Sequence, residues 1–203
     1  PLTFGYSAFR IPRAGGDLWE RLKEEVSPVA RGAKDRIVVA DSKKVYARNP
    51  RGRERLETTA LTFLAQLEGG RPECGADLLR TPPVKLRPRA ADIKRHPWYG
   101  RLAEELPVWM PADRLAIRTA RLRRGLEAAD IELLDAGVRV VPEFELNRSF
   151  EETGNKSLSV MSVMFQIWQH LWESFAREEV RVVVDREGGR WHYGRVLHAA
   201  FPG

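Results

Sequence analysis

Residues 180–190 read V-R-V-V-V-D-R-E-G-G-R, a β-branched run interrupted only by Arg181 and closed by an acid and two glycines. Such a run predicts a strand largely buried in a sheet. Asp185 then stands where that strand leaves the core. In open α/β sheets ligands bind at the carboxyl ends of the strands, which makes Asp185 a candidate metal or phosphate-site residue. The same position suits a turn residue, or the N-cap of a helix starting near Arg190. Gly188 and Gly189 let the backbone turn tightly beside it. Residues 157–175 precede this run and form the most apolar helical pattern in the chain. Val160, Met161, Met164, Phe165, Trp168, Leu171, Trp172 and Phe175 occupy more than one stripe, predicting a central helix packed on the sheet.

A second apolar run ends in an acid at residues 36–44, R-I-V-V-A-D-S-K-K. Asp41 is followed at once by a hydroxyl, Ser42, and two ammonium groups, Lys43 and Lys44. Backbone N–H groups at a strand-to-helix turn, joined by these side chains, attract phosphate. A pair of lysines on a loop is also ordinary solvated surface, so the motif points to a polyanion more firmly than to a reaction.

Asp41-Ser42-Lys43-Lys44 resembles the D-S-K-K signature of ribonuclease HII, and the order of elements agrees. In that family the signature is followed by a helix, here residues 52–67. A long apolar helix then opens near an Asn, here Asn155, and a strand ends in a metal-binding Asp, here Asp185. The resemblance implies a ribonuclease H-like α/β fold, a mixed sheet flanked by helices. It also implies metal-dependent cleavage of the RNA strand of RNA/DNA hybrids, with Mg or Mn as the divalent metal. Asp185 would be a catalytic metal ligand, and Asp41 and Asn155 would support the site. Ser42, Lys43, Lys44, Arg186 and Arg190 would contact the nucleic-acid backbone. The sequence Asp185-Arg186-Glu187-Gly188-Gly189-Arg190 departs from the Val-Asp-Gly usual in the family. The family's opening Asp-Glu pair and its last Asp have no counterpart in these residues, so the chain is expected to be a fragment without nuclease activity of its own. A ribonuclease H-like module that binds nucleic acid or a protein partner without cleavage is the alternative.

The 203 residues, 43% hydrophobic, can bury one core, so a single domain over residues 1–203 is expected, with an insertion at about residues 69–111. A net charge of +6 suits a nucleic-acid partner. The single cysteine, Cys74, excludes an internal disulfide framework and fits a reducing compartment, so a cytoplasmic location is expected. No apolar run is long enough to span a membrane. His170 and His192 lack zinc-ligand spacing, and no Walker loop, G-x-S-x-G or C-x-x-C motif is present.

Other elements follow from periodicity. Residues 3–11 predict a strand, and Asp17 predicts a cap for a helix with Leu18, Trp19, Leu22 and Val26 on its apolar face. Residues 46–55 are basic, with Arg48, Arg51, Arg53 and Arg55 placed to follow a phosphate backbone or to be solvated. Residues 69–107, rich in proline and arginine, predict an irregular excursion with short helices near 76–79 and 98–105. There His96, Trp98 and Tyr99 either stack a base or pack the excursion down. A helix from Ala112 carries Arg114, Arg118, Arg121, Arg123 and Arg124 opposite an apolar side, a second candidate phosphate surface. Residues 137–146 predict an edge strand with Pro142 at a bulge and Glu143 and Glu145 on one face. A polar turn is expected over residues 147–156, and a last helix over residues 191–201.

Overall fold

The computed structural model describes residues 1–12, 17–185 and 192–201 as a mixed α/β chain. It forms two compact units, one of residues 5–139 and one of residues 1–4 with 140–203. Strands β1 (Leu2–Arg10) and β4 (Glu132–Val141) contribute residues to both.

In the larger unit, β1 alternates half-buried and exposed residues along its length, as its sequence predicts. It pairs with β4, and the Tyr6 hydroxyl donates to Asp135 Oδ1 at 3.4 Å. Burial, then the neighbouring Asp135 carboxylate, holds the Tyr6 phenol well above its ordinary pKa. Asp17 caps α1 (Leu18–Arg21) by accepting from the Trp19 N–H at 2.9 Å. The helix stops after one turn, because Val26 is needed in β2 (Val26–Ser27), which pairs in parallel with β3 (Ile37–Val38). Leu22, Val26 and Ile37 close one core with Leu122, Leu126, Ala129 and Ile131. α2 (Ser42–Val45) and α3 (Pro50–Leu64) follow, and then the excursion. It holds α4 (Gly75–Leu78), α5 (Ala90–Lys94) and 3₁₀ segments at Val84–Leu86 and Pro97–Ala103, close to the short helices expected. In α4 the Asp77 carboxylate accepts from the Glu73 and Cys74 N–H groups, which hold its carboxyl below the usual range. α6 (Ala112–Ala128) packs against α3.

The excursion is fastened at its far end by one side chain. Glu57 of α3 accepts three consecutive backbone N–H groups, from Val108 at 2.6 Å and from Trp109 and Met110 at 2.7 and 2.8 Å. These are charge-assisted bonds, stronger than neutral ones. They deliver Met110 to a core with Leu61 and Leu115.

In the smaller unit, α7 (Glu143–Thr153) and α8 (Lys156–Phe175) form a helical hairpin, and α9 (Gly194–Ala200) follows. Gly154, in the left-handed conformation at φ 61°, ends α7, and Asn155 starts α8. Ser159 is buried and its hydroxyl donates to Ser149 O at 3.1 Å, locking the hairpin. Phe165 meets Phe201 edge-on at 5.9 Å, placing α9 against α8.

Three expectations are corrected. The strand expected over residues 137–146 begins earlier, at Glu132, and ends at Val141. Pro142 is the N-cap of α7, so Glu143 and Glu145 lie in a helical first turn and not on one strand face. A proline fits there because the first helical turn needs few N–H donors. The polar turn expected at 147–156 is therefore mostly α7; its serine, threonine and glutamates face a helix surface. Residues 180–185 lie in no strand, and Val182, Val183 and Val184 are 50%, 81% and 41% exposed. β-propensity expresses a fit to a paired, half-buried surface, and these valines have neither a ladder nor burial.

Glu57→Gln keeps the shape of the side chain and removes its charge from three donors. It is expected to lower stability by about 2 kcal/mol. Urea unfolding of the two proteins measures it, and an unchanged midpoint would show that the anchor is dispensable.

Candidate nucleic-acid interface

The D-S-K-K turn is built from β3 upward. Val38 sits in a small core with Ala33 and Val45, and its carbonyl accepts from Thr59 Oγ1 of α3 at 2.9 Å. The chain then leaves the strand, and Asp41 Oδ1 accepts the Lys43 N–H at 2.8 Å as the N-cap of α2. Burial of Val45 turns Ser42, Lys43 and Lys44 to solvent. After α2 the Asn49 side chain caps α3 through the Gly52 N–H at 2.9 Å, with Pro50 in the first turn. The two caps place Lys43, Lys44, Arg48, Arg51 and Arg53 on one exposed stretch with no acid among residues 42–53. Lys43, Lys44, Arg48 and Arg51 have no ion-pair partner among the described residues. Arg53 lies over the Trp109 ring, 4.8 Å from its centroid.

Gly52 is what allows this connection. A Cβ there would lie 2.2 Å from the Ala47 carbonyl oxygen and 2.3 Å from the Ala47 nitrogen, both backbone atoms.

The arginines of α6 behave differently from those of residues 48–53. Arg118 faces Asp35 at 3.9 Å, Arg121 donates to Glu24 O, and Arg123 donates to Ala65 O at 3.3 Å. These three fasten α6 to its neighbours, with Arg118 and Arg121 half-buried and Arg114, Arg123 and Arg124 exposed. The second candidate phosphate surface is therefore in part a structural seam.

Asn155 accepts the Ser157 and Leu158 N–H groups at 2.9 and 3.2 Å, so its side-chain oxygen is a helix cap. Asp185 is exposed, follows no strand, and belongs to the smaller unit, whereas Asp41 follows β3 in the larger one. No sheet edge common to the two acids exists among the described residues. Arg186 and Arg190, with Gly188 and Gly189, lie outside the described residues. No three His, Cys, Asp or Glu side chains gather among the described residues in a group able to hold a metal ion. With Asp41 and Asn155 both occupied as caps, the described residues do not fit a two-metal site. No helix among them is long and apolar enough to cross a membrane.

Sequence reasoning missed Glu57 and the Arg53–Trp109 contact. Their partners are more than 50 residues away along the chain, and nothing local marks them. Comparison with protein-family models, curated proteins and solved structures finds no match to this chain.

Helix propensity alone predicts that Gly52→Ala stabilises α3 by up to about 1 kcal/mol. The backbone contact reverses the sign: a loss of about 1–3 kcal/mol is expected. Thermal or urea unfolding decides between them, and a stabilised variant would show that the α2–α3 connection yields freely.

Proposed function

We propose that the chain binds the sugar-phosphate backbone of nucleic acid along residues 42–53, as part of a ribonuclease H-like protein of the ribonuclease HII type acting on RNA/DNA hybrids. The observation that carries the binding reading is the exposed row Lys43, Lys44, Arg48 and Arg51, none of which has an ion-pair partner among the described residues. A surface cation without an ion pair can neutralise a phosphate and release counterions condensed on the nucleic acid, which is the source of salt-dependent affinity. The spacing of the cations along two consecutive helix starts suits an extended phosphate chain better than a single anion.

Cleavage rests on the resemblance of Asp41-Ser42-Lys43-Lys44 and of Asp185. Mg or Mn, if bound by the complete family set of carboxylates, would supply an activated water and charge stabilisation at the phosphodiester. The described residues gather no such set, so in this reading they hold and orient the hybrid and contribute Asp185 as one ligand of the complete set. A non-catalytic module is the second reading, favoured by the use of Asp41 and Asn155 as helix caps.

Lys43→Ala with Lys44→Ala is expected to weaken binding to an RNA/DNA hybrid. It should also flatten the dependence of log affinity on log salt by roughly one unit per lost phosphate contact. Affinity measured across a salt series checks this, and a double variant with wild-type affinity and slope removes residues 42–53 from the interface. The chain alone, given Mg²⁺ or Mn²⁺, is expected to bind without cutting; robust cleavage would show a metal site that these residues do not display. In a protein carrying the family's other carboxylates, Asp185→Asn should lower single-turnover cleavage and leave hybrid affinity nearly intact.

A further inference from the structure

The excursion carries a second feature that the backbone-binding row does not use. At residues 96–99 the Trp98 ring lies nearly parallel to the His96 ring, with centroids 4.4 Å apart and planes inclined by 16°. Tyr99 stands beside it, 6.3 Å away and tilted by 47°, so it does not cover the indole. Trp98 is nonetheless 55% exposed. One indole face is thus backed by the imidazole while much of the side chain stays in solvent, on the 3₁₀ segment Pro97–Ala103, which packs against α5.

A tryptophan that only pinned the excursion down would bury its ring, as apolar surface left in water forgoes about 25 cal/mol for each Å². The sequence around it is also strongly basic. Residues 84–101 carry Lys85, Arg87, Arg89, Lys94, Arg95 and Arg101 against the single carboxylate of Asp92, and Asp92 is buried at 5% exposure. All six cations are exposed. Arg87 is tied to the Pro82 and Arg80 carbonyls and Arg101 to Glu104, whereas Arg89 and Lys94, at the two ends of α5, have no ion-pair partner among the described residues. An open, rigidly backed aromatic face among cations is the combination that binds unpaired bases: the ring stacks on the base and the cations take the adjoining phosphates.

We infer that Trp98 is a stacking platform for an unpaired nucleobase, with Arg89 and Lys94 as its phosphate contacts, so that the excursion binds single-stranded nucleic acid. This rests on the nucleic-acid reading for the class of ligand, but on different residues from the row at 42–53. A paired base has both faces occupied by its neighbours in the stack, so the platform discriminates single strands from duplex.

The test compares affinities for oligo(dT), for an abasic oligonucleotide of the same length, and for a fully paired RNA/DNA hybrid, using fluorescence anisotropy. Wild type is expected to prefer oligo(dT) to the abasic strand by about 5- to 150-fold, the range given by stacking one base. Trp98→Ala should abolish that preference, Trp98→Tyr should keep most of it, and neither should shift hybrid affinity by more than about twofold. Far-UV circular dichroism and the melting temperature show whether each variant is folded. A preference that survives in Trp98→Ala, or is lost as fully in a folded Trp98→Tyr, overturns the platform. The Lys43→Ala, Lys44→Ala protein separates the two proposals. If it binds the hybrid like wild type while Trp98→Ala loses the base preference, the row at 42–53 fails and the platform stands; the converse pattern fails the platform alone. Absence of binding to all three ligands overturns both.

Discussion

Glu57 is the side chain on which the larger unit's irregular part depends. A segment of some forty residues without a continuous sheet or long helix loses much conformational entropy on ordering, and its apolar area is small for its length. Short helices with local caps, such as Asp77 at the start of α4, order only a few residues at a time. What returns the segment to the body is a carboxylate on α3 that takes three successive N–H groups at residues 108–110 and brings Met110 under Leu61 and Leu115. Without it those N–H groups would need water, and Met110 would have no fixed route into the core. The same arrangement sets Trp109 beneath Arg53, so one helix, α3, holds both the end of the excursion and the end of the basic row.

Elements whose cause is local were legible in the sequence. α8 follows from its dense apolar pattern, α6 from its repeated leucines, and β1 from strict alternation. The strand-to-helix turn at Asp41 was legible for the same reason, whereas the use of Asp41 as the helix cap shows only in the structure. Where the outcome depended on a distant partner, the local pattern misled. Pro142 ends a strand and starts a helix, and residues 140–146 hold both tendencies; the packing of α7 along α8 decides for the helix. Residues 180–185 have the strongest β-propensity in the chain, yet propensity without a paired neighbour leaves three exposed valines. Asn155 shows the limit for site residues, because a capping Asn and a site Asn have the same appearance in a sequence and differ only in what their oxygen accepts.

Charge was legible as an amount but not as a role. The chain's excess of cations is visible at once, and α6 has the highest local density of arginine. Its geometry ties three of the five arginines to Asp35, Glu24 O and Ala65 O, where guanidinium groups join α6 to neighbouring segments while Arg123 stays exposed. Arginine suits this because its planar donors reach carbonyls at several angles while the stem covers apolar surface. Residues 42–53 show the opposite case. Two closely spaced helix starts, each capped by a side chain of its own, expose the cations and leave Lys43, Lys44, Arg48 and Arg51 without ion-pair partners among the described residues.

The two cationic surfaces of the larger unit therefore differ in the physics by which they would hold a nucleic acid. The row at 42–53 offers charge alone; its affinity would fall steeply with salt and would vary little with sequence or strandedness. At Trp98 an aromatic face sits among cations, and stacking responds weakly to salt but requires a base freed from its neighbours. A protein carrying both could hold a duplex by its backbone and an adjacent unpaired stretch by its bases, each surface covering a condition in which the other is weak. Helix α3 links them through Glu57 to the segment that follows Trp98, so a change that loosens residues 108–110 would blunt the second surface and free Arg53, while Lys43, Lys44, Arg48 and Arg51 stay fixed by their own two caps.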